Sequence, residues 1–329
     1  MLYYIDMIKN RDKIIEYLKN NKQATPGDIS RYLKINRSAT HRQIKRLLED
    51  GVLDKIGKSP KVFYMLKNES EVLAKSNIDG KLKETIDENF MIITADGNRK
   101  EGVEAFVDWC KDRNENVEKS AIEYVKTFDK YSAYKKDGII NGNYKIKKAF
   151  ESVYLDDVFY LDFYAIERFG KTKLGQLLLY AKQSQDLQMI EELNQKIKPE
   201  IVSLIKKQSV DAVGFIPPTV KRETQLMREI KKGLNLSLPE LNLVKVKTNV
   251  TVPQKTLNKL SHRIKNAEKT IFVDDNRKFN KVLLIDDAVG SGSTLNETAK
   301  KIKEQGISDN VIGLAVVGSF SGFEVISEV

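Results

Sequence analysis

The stretch from Lys281 to Thr294, KVLLIDDAVGSGST, restricts the fold of this chain more than any other. Val282 to Ile285 form a continuous apolar run closed by acids and a glycine-serine turn, the pattern of a strand buried on both faces of a parallel sheet. Such a strand needs helices on both sides, so it commits this part of the chain to an α/β architecture. The surrounding sequence agrees. DAVGFI (211–216), Leu243 to Val246 and Asn310 to Gly318 read as further strands, and LNETAKKIKEQG after the turn reads as a helix. The expected product is a parallel sheet.

The carboxyl end of such a strand is where open α/β sheets bind ligands. Asp286 and Asp287 stand there, and adjacent carboxylates can accept hydrogen bonds from vicinal hydroxyls, directly or through a magnesium shell. Gly290 and Gly292 permit a tight turn that aims backbone amides at a phosphate. Ser291, Ser293 and Thr294 add hydroxyls, and the helix start adds partial positive charge. A ribose carrying a phosphate satisfies all of these groups. Two look-alikes fail: a Walker A loop needs a lysine after its last glycine, and a dinucleotide fingerprint spaces its glycines differently. A turn with no ligand would leave the paired aspartates unexplained.

These residues closely resemble the phosphoribosyltransferase signature, and within that superfamily the competence-associated ComF group, from about residue 161 to the end. Weaker supports are IPP followed by Lys221 and Arg222, then Gln254, Leu257, Arg263, Asn266 and Phe272 in matching order. The resemblance implies a type I phosphoribosyltransferase-like fold that binds 5-phosphoribosyl 1-pyrophosphate (PRPP) with Mg2+. Asp286 and Asp287 would then hold the ribose hydroxyls and act in catalysis, while Ala288, Val289, Gly290, Ser291, Gly292, Ser293 and Thr294 wrap the 5′-phosphate. Lys221 and Arg222, placed at a basic helix start, would contact pyrophosphate, with Lys255 and Arg263 on a basic loop able to close over the site. The metal would come with the ligand, without direct protein ligation. The cysteine zinc module frequent in the ComF group has no counterpart here, because the chain has a single cysteine.

The formal charge of +10 is unevenly spread, with nine lysines and five arginines against seven acids in residues 1–66. That asymmetry suits a nucleic-acid surface. Its pattern is helical from Asp6 to Leu18, with Ile8, Ile14, Ile15 and Leu18 on one side. Thr25, Pro26 and Asp28 then open a second helix carrying Ile29, Tyr32 and Leu33. Asn36 to Ser38 break it, and a third helix buries Ile44, Leu47 and Leu48 before Gly51 ends it. A basic-tipped hairpin follows over residues 52–66. This order resembles the winged-helix domains of bacterial and archaeal transcription regulators. The DNA-contact candidates are Arg37, Thr40, His41, Arg42, Lys45 and Arg46 on the third helix, with Lys58 and Lys61 at the hairpin tip. Winged helices also serve as protein-interaction modules.

Between these ends no cluster carries chemistry. Residues 68–87 read as a charged helix, 90–94 as a strand, and 101 onward as a helix with Val103, Phe106, Val107 and Cys110 on one face. Cys110 is expected in a core and Trp109 at its edge. Tyr124, Phe128, Tyr131 and Tyr134 recur at helical spacing, and residues 153–164 read as a strand pair. Helices are expected from Lys173 to Ala181 and from Leu187 to Lys206.

The expectation is a multidomain α/β protein: a winged helix-turn-helix at 1–66, a mainly helical connector at 67–160, and a phosphoribosyltransferase-like parallel sheet at 161–329. No apolar run approaches the roughly 18 residues of a membrane span, and no signal peptide is visible, which points to the cytoplasm. Partners expected are DNA and PRPP or a nucleotide, with no membrane. Paired winged helices would favour a homodimer on a near-palindrome. Function is read as DNA-binding regulation with a PRPP- or nucleotide-binding domain. The alternative is an active transferase that moves phosphoribosyl to a base and releases pyrophosphate.

Overall fold

The computed structural model describes residues 2–57, 60–67, 78–246, 252 and 256–319, with side chains from residue 10 onward. Lys58, Gln254, Lys255 and residues 68–77 of the expected charged helix lie outside the described residues. The chain folds into two compact units, Met1–Asp87 with Ile92–Glu118, and Glu88–Met91 with Lys119–Val329.

The chain opens with α1 (Leu2–Asn21), α2 (Pro26–Leu33), α3 (Arg37–Glu49) and a hairpin of β1 (Leu53–Ile56) and β2 (Phe63–Leu66). Local chemistry places these ends. The Thr25 hydroxyl accepts from Asp28 N while the Asp28 carboxylate accepts from Thr25 N, a reciprocal cap at the head of α2. Asn36 accepts from Ala39 N at 2.8 Å and so starts α3 at the expected break. Gly51, with φ of +67°, releases the chain into β1. Ile14, Leu18, Ile29, Leu33, Ile44 and Leu47 form the core with Leu53 and Tyr64. Ala24 and Tyr64 exchange backbone hydrogen bonds, which pins the wing to the turn between α1 and α2. Tyr32, expected on the apolar face, is 44% exposed and packs against Tyr17 at a ring separation of 4.5 Å.

Next come α4 (Gly80–Asn89), the hairpin β3 (Met91–Ile93) and β4 (Arg99–Glu101), and α5 (Gly102–Asp112). Cys110 is fully buried, as its spacing predicts. Trp109 is buried as well instead of lying at the edge, stacked on Phe106 with the Arg113 guanidinium over its ring.

The second unit takes in α6 (Val117–Ser132) from Lys119 onward, then β5 (Lys135–Lys136), β6 (Ile139–Asn141), α7 (Asn143–Ala149), β7 (Asp157–Phe163), α8 (Lys173–Ser184), α9 (Leu187–Gln208) and β8 (Ala212–Phe215). It continues with α10 (Leu226–Leu234), β9 (Leu243–Lys245), α11 (Leu260–Thr270), β10 (Ile271–Val273), β11 (Lys281–Val289), α12 (Ser293–Glu304) and β12 (Asn310–Gly318). Its six-stranded sheet has the order β5-β6-β7-β12-β11-β8. Strand β11 lies inside, parallel to β12 on one side and β8 on the other, and Val282 to Ile285 have no exposed surface. Helices α8, α9 and α10 supply apolar residues to the core on this sheet, among them Leu177, Leu193, Ile197 and Ile230.

The sheet departs from expectation in three ways. It is mixed, because β6 joins β7 antiparallel and β5 joins β6 antiparallel. Residues 153–164 form one strand instead of a pair, and its partner β6 comes from the expected connector. The sheet therefore takes in residues well before 161, since β7 needs an edge partner for its backbone groups. Finally, β9 lies outside the six-stranded sheet. The chain meets β8 at residues 239–241, where Val213 N donates to Pro239 O and Leu241 N donates to Val213 O, then turns away to pair antiparallel with β10. No helix among the described residues is long and apolar enough to cross a membrane.

Candidate functional site

The long strand β11 carries Asp286 and Asp287 to its carboxyl end beside the loop that follows β8. Ile216 N donates to Ile285 O, so Pro217, Pro218 and Thr219 lie next to the acids. The strand runs into the turn 290–292, where Gly292 adopts φ of +80° and caps α12. Only glycine holds that conformation without strain. A hydrogen bond joins the Ser291 and Ser293 hydroxyls at 2.8 Å, and the Thr298 hydroxyl donates to Thr294 O. Buried Asn296 fixes the first turn of α12, donating to Ser152 O and accepting from Tyr154 N.

A cavity of about 300 Å³ opens over this strand end. Asp286 and Asp287 line it together with all of Ala288 to Thr294, so the structure gathers the whole expected ribose-and-phosphate set around one space. Leu178, Leu226, Met227 and Tyr164 form an apolar wall, while Lys182, Arg222, Lys245 and Arg263 bring positive charge.

The carboxylates differ sharply. Asp287 is bound by the Lys182 ammonium, which reaches over from α8. Burial opposes charge on Lys182, but Asp287, with Asp286 behind it, holds its pKa above the ordinary lysine value. Asp286 accepts from Asp287 N at 2.8 Å and has no ion-pair contact of that kind. Burial first, and then the neighbouring Asp287 charge, push its pKa up to about 7. Lys245 is anchored by its 2.6 Å bond to the Thr219 hydroxyl; desolvation lowers its pKa, partly offset by Asp286.

Among the expected pyrophosphate residues, Arg222 lines the cavity and donates to Lys182 O at 2.9 Å. Lys221 does not: its side chain is exposed and outside the lining. The basic helix start expected there is absent, because residues 217–225 are a loop and α10 begins at Leu226. Arg263 lies on α11, buried, with Nε donating to Leu257 O. Its Nη1 would be 3.7 Å from a Cβ placed on Gly290, which sets it at the glycine end of the site. Burial lowers its pKa.

Lys182 and Lys245 were not anticipated from the sequence, although each left a trace. Lys182 follows the buried Leu178 by one helical turn, and Lys245 alternates with Leu243, which packs over Gly214. A lysine on an apolar face is the signal in both cases.

Hard carboxylate oxygens suit Mg2+. Each carboxylate here already has a lysine neighbour, and among the described residues no cluster of three or more His, Cys, Asp or Glu is arranged to hold an ion. Asp286 and Asp287 are the carboxylates lining this cavity that could face such an ion.

In the first unit, Arg37, His41, Arg42, Lys45 and Arg46 are exposed along α3, and Lys61 is exposed beside the hairpin turn. Thr40 is a correction. It is fully buried, and its hydroxyl donates back to Asn36 O at 3.1 Å, so it packs the domain core and cannot read a base edge.

A third helix with an exposed basic face, followed by a two-stranded wing, defines a winged helix-turn-helix domain. Residues 9–54 match the family described as "Winged helix-turn-helix DNA-binding". No curated protein matches the chain in sequence. A solved hypoxanthine phosphoribosyltransferase from Staphylococcus aureus is similar over 42% of this chain and 70% of that one, at 16% identity and a TM-score of 0.26.

Proposed function

We propose that this protein is a DNA-binding regulator whose C-terminal domain binds a phosphorylated ribose, either PRPP with Mg2+ or a nucleotide. The observation that carries the reading is the cavity in which Asp286, Asp287 and the loop Ala288 to Thr294 converge at the end of β11. Paired carboxylates suit the ribose diol, and a glycine-serine turn at a helix start suits the 5′-phosphate. Arg222, Lys182 and Lys245 supply charge for a further anionic group. The winged helix at the other end supports DNA contact through Arg37, His41, Arg42, Lys45, Arg46 and Lys61.

An active phosphoribosyltransferase is the second reading, favoured by the apolar wall of Leu178, Leu226 and Met227 beside the acids. That wall would accommodate an acceptor base. Pyrophosphate departure from C1 builds positive charge on the sugar, which an ionised Asp286 would stabilise, while basic side chains neutralise the leaving group.

Calorimetric titration with PRPP and Mg2+, with pyrophosphate release followed in the presence of candidate bases, separates the two readings. Binding without turnover supports the regulator, and base-dependent pyrophosphate release supports the enzyme. Unaltered PRPP binding in the double variant Asp286→Asn, Asp287→Asn would sink the site assignment.

A further inference from the structure

The glycine-serine turn that faces the ligand cavity has a second side. Behind it lies a small cavity of about 10 Å³, walled by Lys145 and Ile146 from α7, Val158 and Tyr160 from β7, and the turn Val289 to Gly292. The same four turn residues line the ligand cavity, so the turn is a partition between two spaces. The rear space has room for about one water molecule at most, which excludes a ligand of its own. Helix α7 comes close to the turn: a Cβ on Gly292 would lie 3.2 Å from Ile146 Cδ1. Gly290 and Gly292 put no side chain between front and rear.

Lys145 is the cation of the rear wall, and Tyr160 is its other titratable side chain. Burial pushes the Tyr160 phenol up to about 12 and keeps it neutral. The Lys145 ammonium donates to Ser319 O, a neutral acceptor just past β12, and burial brings its pKa down to about 8. An ammonium disfavoured by burial gains when an anion arrives close by. Across a thin layer of protein, opposite charges attract far more strongly than they do in water. Linkage makes the gain mutual: a phosphate that favours the ammonium is bound more tightly while Lys145 is charged. Lys147 and Lys148 of the same helix are exposed and line neither space, so solvent screens them.

We propose that Lys145 is a positioning residue for the phosphate loop, its charge acting from the reverse side of the turn on a ligand phosphate held at the front. It acts through the turn and touches no ligand atom. Ligand affinity is thereby coupled to the protonation of a residue outside the ligand cavity. Binding is strengthened while Lys145 is an ammonium, and that gain is lost as pH rises through its pKa. This inference rests on the phosphoribose reading of the cavity and adds a regulatory input to it.

The test is calorimetric titration of the full-length protein with PRPP and Mg2+ at pH 7 and pH 9, on wild type, Lys145→Met and Lys147→Met. At pH 7, Lys145→Met is expected to bind at least about fivefold more weakly than wild type. At pH 9 that ratio should shrink by at least about threefold, because wild-type Lys145 has then lost most of its charge. Titration of Asp286 and of the ligand acts on both proteins alike and cancels in the ratio. Lys147→Met removes a charge from the solvent side of the same helix and should bind as wild type does at both pH values. Lys145→Gln should repeat Lys145→Met, which guards against misfolding of one variant, and circular dichroism checks the fold of each. A deficit equal at both pH values, undiminished affinity in Lys145→Met, or an equal deficit in Lys147→Met would overturn the charge role while leaving the site reading intact. Failure of the wild-type protein to bind PRPP would overturn the site reading, and this inference with it.

Discussion

The Lys182 ammonium donates to the carboxylate of Asp287, 105 residues further along the chain. The two acids differ: Asp287 has this ion pair, whereas the pKa of Asp286 is raised by burial first and by the adjacent Asp287 charge second, with Lys182 and Lys245 acting against the rise.

That difference has a measurable consequence for stability. The folded-state pKa of Asp286 is pushed from 3.8 to about 7, so the folded protein binds more protons than the unfolded chain between those values. Its contribution is most favourable below the unfolded pKa and is lost as pH rises through the folded one. Asp286→Asn keeps an acceptor for Asp287 N but removes the titration. The variant should gain at least about 1 kcal/mol over wild type at pH 8 and little at pH 4. Urea denaturation at the two pH values checks this, and a gain independent of pH would refute the assignment.

Arg42 and Arg46 are exposed on α3. Replacing both with alanine should weaken DNA binding about tenfold or more at low salt and reduce the salt slope by about two. Fluorescence anisotropy across a salt series reads both quantities. Equal affinity and slope would remove α3 from the DNA surface.

Thr25 joins two reciprocal hydrogen bonds with Asp28 at the head of α2. Thr25→Ala should cost about 1 kcal/mol of stability in the winged-helix domain. Thr40→Ala should also destabilise by roughly 1 to 2 kcal/mol, through lost packing, while leaving the salt slope of DNA binding unchanged. A changed slope in Thr40→Ala would contradict its buried position.

The glycines of the loop should separate in kind. At Gly292 a Cβ would meet Ile146 Cδ1 at 3.2 Å in a backbone of φ +80°, whereas at Gly290 the nearest atom is Arg263 Nη1 at 3.7 Å. Gly292→Ala is expected to destabilise by about 1 to 3 kcal/mol, and Gly290→Ala to leave the melting temperature nearly unchanged. Differential scanning calorimetry decides between them, and equal melting temperatures would mean that the turn relaxes.

Much of the local structure was legible from residue pattern. The three helices of the winged domain follow from apolar spacing and from caps at Thr25 and Asn36, and β11 follows from the run Val282 to Ile285. These are short-range effects, set by backbone geometry and nearest neighbours. The mixed sheet was not legible, because the pairing of Ile140 with Tyr160 depends on which edge is left open once β7 has docked on β12. Thr40 was misread for a related reason. Helical spacing sets a face, but the choice between core and solvent near its edge belongs to packing.

By itself the sequence determined a strand ending in two carboxylates and a glycine turn, because each part is encoded within one continuous segment. Only the tertiary structure decided how that segment is charged. Lys182 comes from α8 and Lys245 from β9, and their approach to Asp287 and Asp286 exists only because the sheet and its covering elements bring distant residues together. Charge interactions act through space and burial, neither of which a linear pattern contains.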